Sequence, residues 1–211
     1  MHYIYLHGFA SSPNSYKAQE IKSRFAELHI SIKIPDLNFG DFSHLTITRQ
    51  LQQVAAEFPE NNAPVTLIGS SLGGLTSAHL AEQYPQVQRL VLLAPAFEFL
   101  LHWLPKLGEE TIQRWQREKY LLLDHYGDKR QLPLHYDFVT DAAQYQENKL
   151  HRPILTLILH GIQDEVIPIQ ASRDFARQRP WVKLVELDTD HALGNVSKEI
   201  WNAISLFSQL N

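Results

Sequence analysis

The 211-residue chain contains no cysteine. This absence excludes a disulfide-bonded scaffold, a zinc site with thiolate ligands and a cysteine nucleophile. No run approaches the ~20 consecutive apolar residues that a membrane-spanning helix needs. An excess of positive charge is also missing, because 19 basic residues stand against 23 acidic ones. We therefore expect neither a nucleic-acid-binding face nor a membrane span.

The amino-terminal residues lack the features of a secretion signal. Met1 is followed directly by a strand-like run, with no basic region and no long apolar stretch. Hydrophobic residues make up 44% of the chain and charged residues 20%, which is typical of globular proteins. We expect a soluble, cytoplasmic protein. The sequence carries no signal for an oligomeric state.

Short apolar runs alternate with segments of helical periodicity along most of the chain. This alternation predicts an α/β fold with a doubly wound, mostly parallel six-stranded sheet. The predicted strands lie at residues 2–6, 30–34, 65–69, 89–93, 154–159 and 182–187. The predicted helices lie at residues 15–29, 46–58, 72–84, 170–178 and 196–210.

Strand-like and helix-like segments no longer alternate regularly in residues 96–151. This segment is longer than a single crossover helix between two strands requires. We interpret residues 96–151 as a helical cap inserted into a core made of residues 1–95 and 152–211. The insert holds nine of the 22 aromatic residues, including Trp103 and Trp115. These two indoles are candidates for lining a substrate pocket. The alternative is that the aromatic residues serve only the packing of the cap.

The most specific motif is Gly-x-Ser-x-Gly, formed by Gly69, Ser71 and Gly73 at a strand-to-helix junction. A serine on such a turn is held with its hydroxyl exposed at the end of the sheet, and the glycines allow strand and helix to approach closely. Ser71 is therefore the candidate nucleophile. Ser70 is the neighbouring hydroxyl, one position short of the motif. The alternative is a glycine-rich turn that only packs closely.

A nucleophilic serine needs two N–H donors for the oxyanion that forms on the substrate carbonyl. One donor is expected from Leu72, the residue after the nucleophile. The second is expected from the loop after the first strand, at Phe9, with Ala10 as the adjacent alternative. His7 precedes this loop and is interpreted as a structural hydrogen-bonding group.

The other members of a catalytic triad follow the serine in the order acid, then histidine. Asp164 lies on the loop after the fifth predicted strand, with Glu165 and Glu98 as alternatives for the acid. His191 lies in the last strand-to-helix loop. The expected mechanism uses His191 as the base for Ser71 and Asp164 to orient the imidazole, without a metal or a cofactor.

Three segments together are similar to the small bacterial α/β-hydrolase esterases of the YqiA/YcfP type. They are YIYLHGFASSPNSYKA at residues 3–18, GSSLGG at 69–74 and HGIQDEVIP at 160–168. The resemblance implies an α/β-hydrolase fold with strand order 2-1-3-4-5-6 and the triad Ser71, Asp164 and His191. Lys17, within the first segment, is interpreted as a solvated surface charge.

The leading functional hypothesis is a serine esterase or thioesterase. Its expected partner is a small-molecule ester or thioester, with an apolar acyl portion bound beneath the cap. The alternative is a protein on the same scaffold that binds a small molecule without catalysis. A carboxylate-nucleophile hydrolase is disfavoured, because a serine occupies the turn.

Overall fold

Short runs rich in Val, Ile and Leu form the central sheet of the computed structural model, which describes residues 1–210. Strands of a parallel sheet read as nearly continuous apolar segments, because helices cover both of their faces. The strands of the chain are β1 His2–Leu6, β2 Ile32–Lys33, β3 Val65–Ser70, β4 Val87–Leu93, β5 Tyr120–His125, β6 Arg130–His135, β7 Leu155–Gly161 and β8 Val182–Leu187.

The six-stranded sheet has the order β2-β1-β3-β4-β7-β8, and all of its neighbouring strands are parallel. The predicted order 2-1-3-4-5-6 numbered the strands of this sheet alone. The numbers differ because β5 and β6 intervene in the chain and pair only with each other. The predicted α/β fold class is confirmed.

Helices cover both faces of the sheet. The helices are α1 Tyr16–Glu27, α2 Ile47–Ala55, α3 Leu72–Gln83, α4 Phe99–Leu107, α5 Glu109–Glu118, α6 Asp137–Ala142, α7 Ile169–Arg177 and α8 Ser197–Ser208, with short 3-10 helices at Phe42–His44 and Glu147–Lys149. Helices α1 and α8 pack in one hydrophobic cluster, whereas α2, α3 and α7 pack in the other. Within residues 1–210, no helix has the length and apolar character required to cross a bilayer.

The segment between β4 and β7 is not entirely helical, and the prediction of a helical cap was wrong in this respect. It contains α4, α5 and α6 together with the antiparallel hairpin of β5 and β6. The burial of β5 alternates along the strand, so that Leu121 and Leu123 pack against the core while Leu122 is exposed. This alternation is the period-2 pattern of a strand with one buried face.

Parallel pairing determines where the loops meet. The carboxyl ends of β1, β3, β7 and β8 all lie at the same edge of the sheet. The loops that follow these strands carry the candidate site residues.

Candidate active site

Ser71 occupies a strained turn between β3 and α3. Its φ of 53° and ψ of −119° lie outside the regions that non-glycine residues favour. A Cβ atom on Gly73 would overlap the carbonyl oxygen of Leu6, and one on Gly69 would overlap the carbonyl of Gly73. Glycine at both positions therefore lets α3 begin directly against β1. The turn leaves Ser71 partly exposed at the edge of the sheet.

Three side chains from separate loops meet at this edge. The Nε2 atom of His191 lies 3.0 Å from Oγ of Ser71, and its Nδ1 atom lies 2.6 Å from Oδ2 of Asp164. Since a carboxylate can only accept, Nδ1 carries the proton and Nε2 is free to accept the serine proton. The structure thus brings together Ser71, Asp164 and His191 in hydrogen-bonding order.

Asp164 is held ionised by its surroundings. Burial by itself would raise the pKa of this carboxyl, but hydrogen bonds from His160, from His191 and from the N–H of Ile167 outweigh burial and hold the pKa well below its usual range. An ionised Asp164 is able to stabilise an imidazolium on His191.

His160 is a residue of the site that the sequence analysis did not identify. Its Nε2 atom lies 3.1 Å from Oδ2 of Asp164, and its Nδ1 atom lies 2.7 Å from Oγ of Ser172. The His160 ring is fully buried. The available sequence signal was its position at the end of a predicted strand, four residues before the acid.

The alternative acids lie elsewhere. Glu165 is exposed and Glu98 contacts His102, with 3.3 Å between Oε2 and Nε2. Among the hydrogen bonds of residues 1–210, neither carboxylate is a partner of His191. The geometry therefore favours Asp164 as the acid.

The loop after β1 runs beside the nucleophile. A Cβ atom on Gly8 would lie 3.3 Å from Cβ of Ser71. In the described part of the chain, the N–H groups of Phe9, Ala10 and Leu72 have no hydrogen-bond acceptor. Leu72 is the first residue of α3, where N–H groups are left free by helix geometry. Phe9 and Leu72 remain our candidates for the oxyanion donors, with Ala10 as the alternative to Phe9.

The side chain of His7 points away from the site. The ring is buried, and its Nε2 atom accepts a hydrogen bond of 3.0 Å from the N–H of Leu37. Nδ1 therefore carries the proton and faces the carbonyl of Gly8 at 2.9 Å. His7 is a structural residue that joins β1 to the segment after β2.

The two tryptophans of the insert have different environments. Trp103 is partly buried, and its ring centroid lies 5.4 Å from that of Phe9, the candidate oxyanion residue. Trp115 is completely buried, and its indole N–H donates a hydrogen bond of 2.8 Å to the carbonyl of Leu134. The prediction of Trp115 as a substrate-binding residue is therefore not supported, because its ring is enclosed by packing. Trp103 stays a candidate.

Lys17 is not the solvated surface charge that we expected. It lies in the first turn of α1 and is partly buried, and its Nζ atom donates to Oγ of Ser70 at 3.2 Å. Within residues 1–210, the structure shows no group of three or more His, Asp or Glu side chains arranged to hold a metal ion.

The comparisons with known proteins identify the family and the fold of the chain. The model of the uncharacterised protein family UPF0227 matches residues 2–208. The chain belongs to this family. The match covers nearly the whole chain, and together with α/β-hydrolase structural neighbours it confirms the resemblance drawn from the motifs.

Two mammalian proteins are similar to most of this chain at low sequence identity. The chain is 27% identical over 187 residues to the mitochondrial palmitoyl-protein thioesterase ABHD10 of Mus musculus. The match covers 82% of this chain, which spans 62% of the length of that relative. The Rattus norvegicus protein of the same name is 26% identical over 189 residues, with 82% and 62% of the two chains covered.

Solved structures share the fold. The mouse α/β hydrolase domain-containing protein 10 superposes with a TM-score of 0.81 at 22% identity, covering 100% of this chain and 90% of the other. Est1E from Butyrivibrio proteoclasticus, solved with ferulic acid bound, gives a TM-score of 0.77 at 22% identity, covering 98% and 87%. These similarities establish the α/β-hydrolase fold of this member of UPF0227.

Proposed function

We propose that this protein is a serine hydrolase that cleaves carboxylic esters or thioesters through an acyl-enzyme on Ser71. The observation that carries the proposal is the continuous pair of hydrogen bonds that His191 makes, 3.0 Å to Ser71 and 2.6 Å to Asp164. In this arrangement the imidazole of His191 can remove the proton of the Ser71 hydroxyl and so activate its oxygen. A serine hydroxyl without such a base is a weak nucleophile at neutral pH.

The proposed reaction has two halves. In the first, Oγ of Ser71 attacks the substrate carbonyl carbon while Nε2 of His191 takes the hydroxyl proton. The oxyanion accepts hydrogen bonds from the N–H groups of Leu72 and Phe9, and the alcohol or thiol leaves with the proton from His191. In the second, water attacks the acyl-enzyme, His191 takes its proton, and the carboxylic acid departs as Ser71 recovers its hydrogen.

An apolar acyl group suits the surroundings of the candidate oxyanion loop. The ring of Phe9 contacts an aromatic cluster drawn from the segment before α2 and from the insert, formed by Phe42, Phe99, Trp103 and Phe138. Trp103 is the member of this group that we propose as a substrate contact. The names of the ABHD10 relatives, which are palmitoyl-protein thioesterases, also support an apolar acyl chain.

The division into two parts stays a proposal as well. Residues 96–151 would act as a cap over a hydrolase core made of residues 1–95 and 152–211. The position of α4 supports this, because Nζ of Lys106 near its end donates to the carbonyls of Glu165 and Val166 in the loop that carries Asp164. The cytoplasmic location expected from the sequence stays a prediction.

Substitution Ser71→Ala tests the proposal. We expect kcat for short p-nitrophenyl esters to fall roughly 10⁴- to 10⁶-fold, because the nucleophilic oxygen is removed. Ser23→Ala is the matched control, since Ser23 is an exposed serine on α1. A fluorophosphonate probe should label the parent protein and the Ser23 variant, and it should leave the Ser71 variant unlabelled.

Two outcomes would count against the proposal. Undiminished turnover by pure Ser71→Ala protein would eliminate Ser71 as the nucleophile. A folded parent protein that neither reacts with the probe nor turns over any ester or acyl-CoA thioester of graded chain length would favour the alternative of a non-catalytic binding protein.

A further inference from the structure

Lys17 is a partly buried charge that the proposed reaction does not use. Its Nζ atom donates to Oγ of Ser70, the residue that ends β3 and directly precedes Ser71. Ser70 is itself 6% exposed. The ammonium group of Lys17 therefore contacts the base of the nucleophile turn from the side of the sheet that α1 covers.

The charged neighbours of Lys17 come from the two loops that carry the rest of the triad. Asp164 follows β7 and Asp190 follows β8, and the charges of both carboxylates oppose the lowering of the Lys17 pKa by burial. Asp190 also shapes its loop, because its Oδ1 atom accepts from the N–H groups of Ala192 and Leu193 at 3.0 and 3.2 Å. His191 lies between Asp190 and Ala192 in the chain and is therefore part of the turn that these hydrogen bonds close.

Tyr5 on β1 is a titratable group beside Ser70. Burial raises the pKa of Tyr5, and its interaction with Ser70 opposes this only in part, so that the phenol stays neutral. Ser70 therefore accepts the hydrogen bond of Lys17 next to a neutral phenol, and the charges that favour the ammonium form of Lys17 are those of Asp164 and Asp190.

We propose that protonated Lys17 is a positioning residue of this site, which orients Ser70 beneath the nucleophile through its hydrogen bond to the Ser70 hydroxyl. This inference rests on the proposed function. Lys17 touches neither the substrate nor the reacting atoms. Its role is exerted through Ser70 and the turn that Ser70 begins.

The role requires the charge, and the charge depends on pH. Burial lowers the pKa of Lys17 to about 8, against the opposing effect of Asp164 and Asp190. Below that pH the ammonium is present and the contacts are intact. As the pH rises through about 8, the charge is lost and activity should decline.

Substitution Lys17→Met removes the charge and keeps an unbranched side chain. We expect kcat/KM at pH 7 to fall about 10- to 100-fold, as for the loss of one buried charged hydrogen bond. The decline above pH 8 should disappear.

The controls separate this role from simple packing. Lys22→Met is the matched variant, since Lys22 is exposed on the same helix, and its pH profile should equal that of the parent protein. Lys17→Arg retains the charge above pH 8, so its profile should also lack the alkaline decline, while it keeps more activity at pH 7 than Lys17→Met. Initial rates from pH 5.5 to 9.5, normalised to the fraction of protein labelled at Ser71, give all three profiles.

The absence of cysteine allows a chemical rescue if Lys17→Met fails to fold. Lys17→Cys provides a single thiol, which 2-bromoethylamine in denaturant converts into a thioether carrying an ammonium group. After refolding, we expect the alkylated protein to regain most of the lost activity and an alkaline limb. The parent protein and Lys22→Cys, treated identically, correct for losses during refolding.

The inference is overturned if Lys17→Met, labelled fully at Ser71, keeps the parental kcat/KM and the decline of activity above pH 8. It is also overturned if alkylated and unalkylated Lys17→Cys, equally labelled, have the same activity. Failure of the proposed function gives a different result, namely full turnover by the Ser71→Ala protein.

Discussion

Asp164 is fixed by four hydrogen-bond donors that converge on its two carboxylate oxygens. The N–H groups of Val166 and Ile167 each donate to Oδ1 at 2.8 Å. His160 and His191 approach Oδ2 at 3.1 and 2.6 Å. A carboxylate with this number of donors has little freedom to rotate, so the imidazole of His191 is oriented by a rigid partner.

Substitution Asp164→Asn would keep the shape of this residue and remove its charge. We expect kcat to fall about 10⁴-fold with little change in KM, because an amide N–H facing Nδ1 would favour the tautomer of His191 that cannot accept the serine proton. Steady-state kinetics with a short p-nitrophenyl ester measure this effect.

Glu165→Gln is the matched control for Asp164→Asn, because Glu165 is the adjacent carboxylate in the chain. Its side chain is exposed, and the substitution leaves its backbone carbonyl available to Lys106. Near-parental activity is expected for this variant. If instead Glu165→Gln lost activity and Asp164→Asn retained it, the assignment of the acid would be wrong.

The predictable residues are those that the chain order identifies. Ser71 was predicted from its glycine neighbours, and Asp164 and His191 from their positions after predicted strands. His160 also follows a predicted strand, but its contact with Asp164, like that of Lys17 with Ser70, involves partners that only the folded chain brings together. Lys17 meets Ser70 across 53 positions of sequence, and a lysine at a helix start carries no mark of such a partner.

At the scale of elements, the site depends on how closely α3 approaches β1. Gly73 is the contact point, because any side chain there would meet the carbonyl oxygens of Leu6 and His7. These are backbone atoms, which cannot move out of the way as the end of a flexible side chain could. Because Gly73 has no side chain, α3 can begin close to β1, and this determines the position of the N–H group of Leu72.

We expect Gly73→Ala to destabilise the fold by about 1–3 kcal/mol, the usual cost of overpacking. The folded fraction should also lose about 10²- to 10³-fold in kcat, because a shifted α3 moves one proposed oxyanion donor. Urea denaturation and active-site labelling separate the two effects.

Gly194→Ala is the comparison for Gly73→Ala, since a Cβ atom there would meet no heavy atom within 4 Å. Its free energy of unfolding should equal that of the parent protein or exceed it slightly, through the restricted unfolded chain. Equal stability of Gly73→Ala and the parent protein would contradict the tight contact between α3 and β1.

The strands and helices of the core were predictable because each repeats one simple pattern. The prediction failed at β5 and β6, where the run from Tyr120 to His125 contains three consecutive leucines. Continuous apolar residues do not distinguish a helix from a strand. Only the packing of Leu121 and Leu123 inward, with Leu122 left exposed, reveals the hairpin.

At the scale of the whole molecule, the insert and the sheet share one hydrophobic core. Trp115 and Phe138 of the insert belong to the same buried cluster as Leu67 of β3 and Leu92 of β4. Phe9 connects them further, because its ring stacks on Phe138 with centroids 5.2 Å apart. Opening of the whole insert would therefore disturb the candidate oxyanion loop.

A shared core predicts a single unfolding transition, and Trp115→Phe tests this. The substitution removes the hydrogen bond to the carbonyl of Leu134 and leaves a cavity, so we expect a loss of about 2–4 kcal/mol. Because Trp181 and Trp201 lie outside the insert, both are replaced by Phe in the parent protein and in the variant. The remaining tryptophan fluorescence then reports on the insert, and far-ultraviolet circular dichroism reports on the whole chain. Their denaturation midpoints should coincide in the parent protein and fall together in the variant.

Leu122→Ser is the control within the insert, because this leucine is 59% exposed and its replacement should change stability by no more than about 0.5 kcal/mol. Separate midpoints in the parent protein would show that the insert unfolds alone. The same conclusion would follow if Trp115→Phe lowered only the fluorescence midpoint. In either case residues 96–151 would unfold independently of the sheet, and the insert and the sheet would not form one cooperative core.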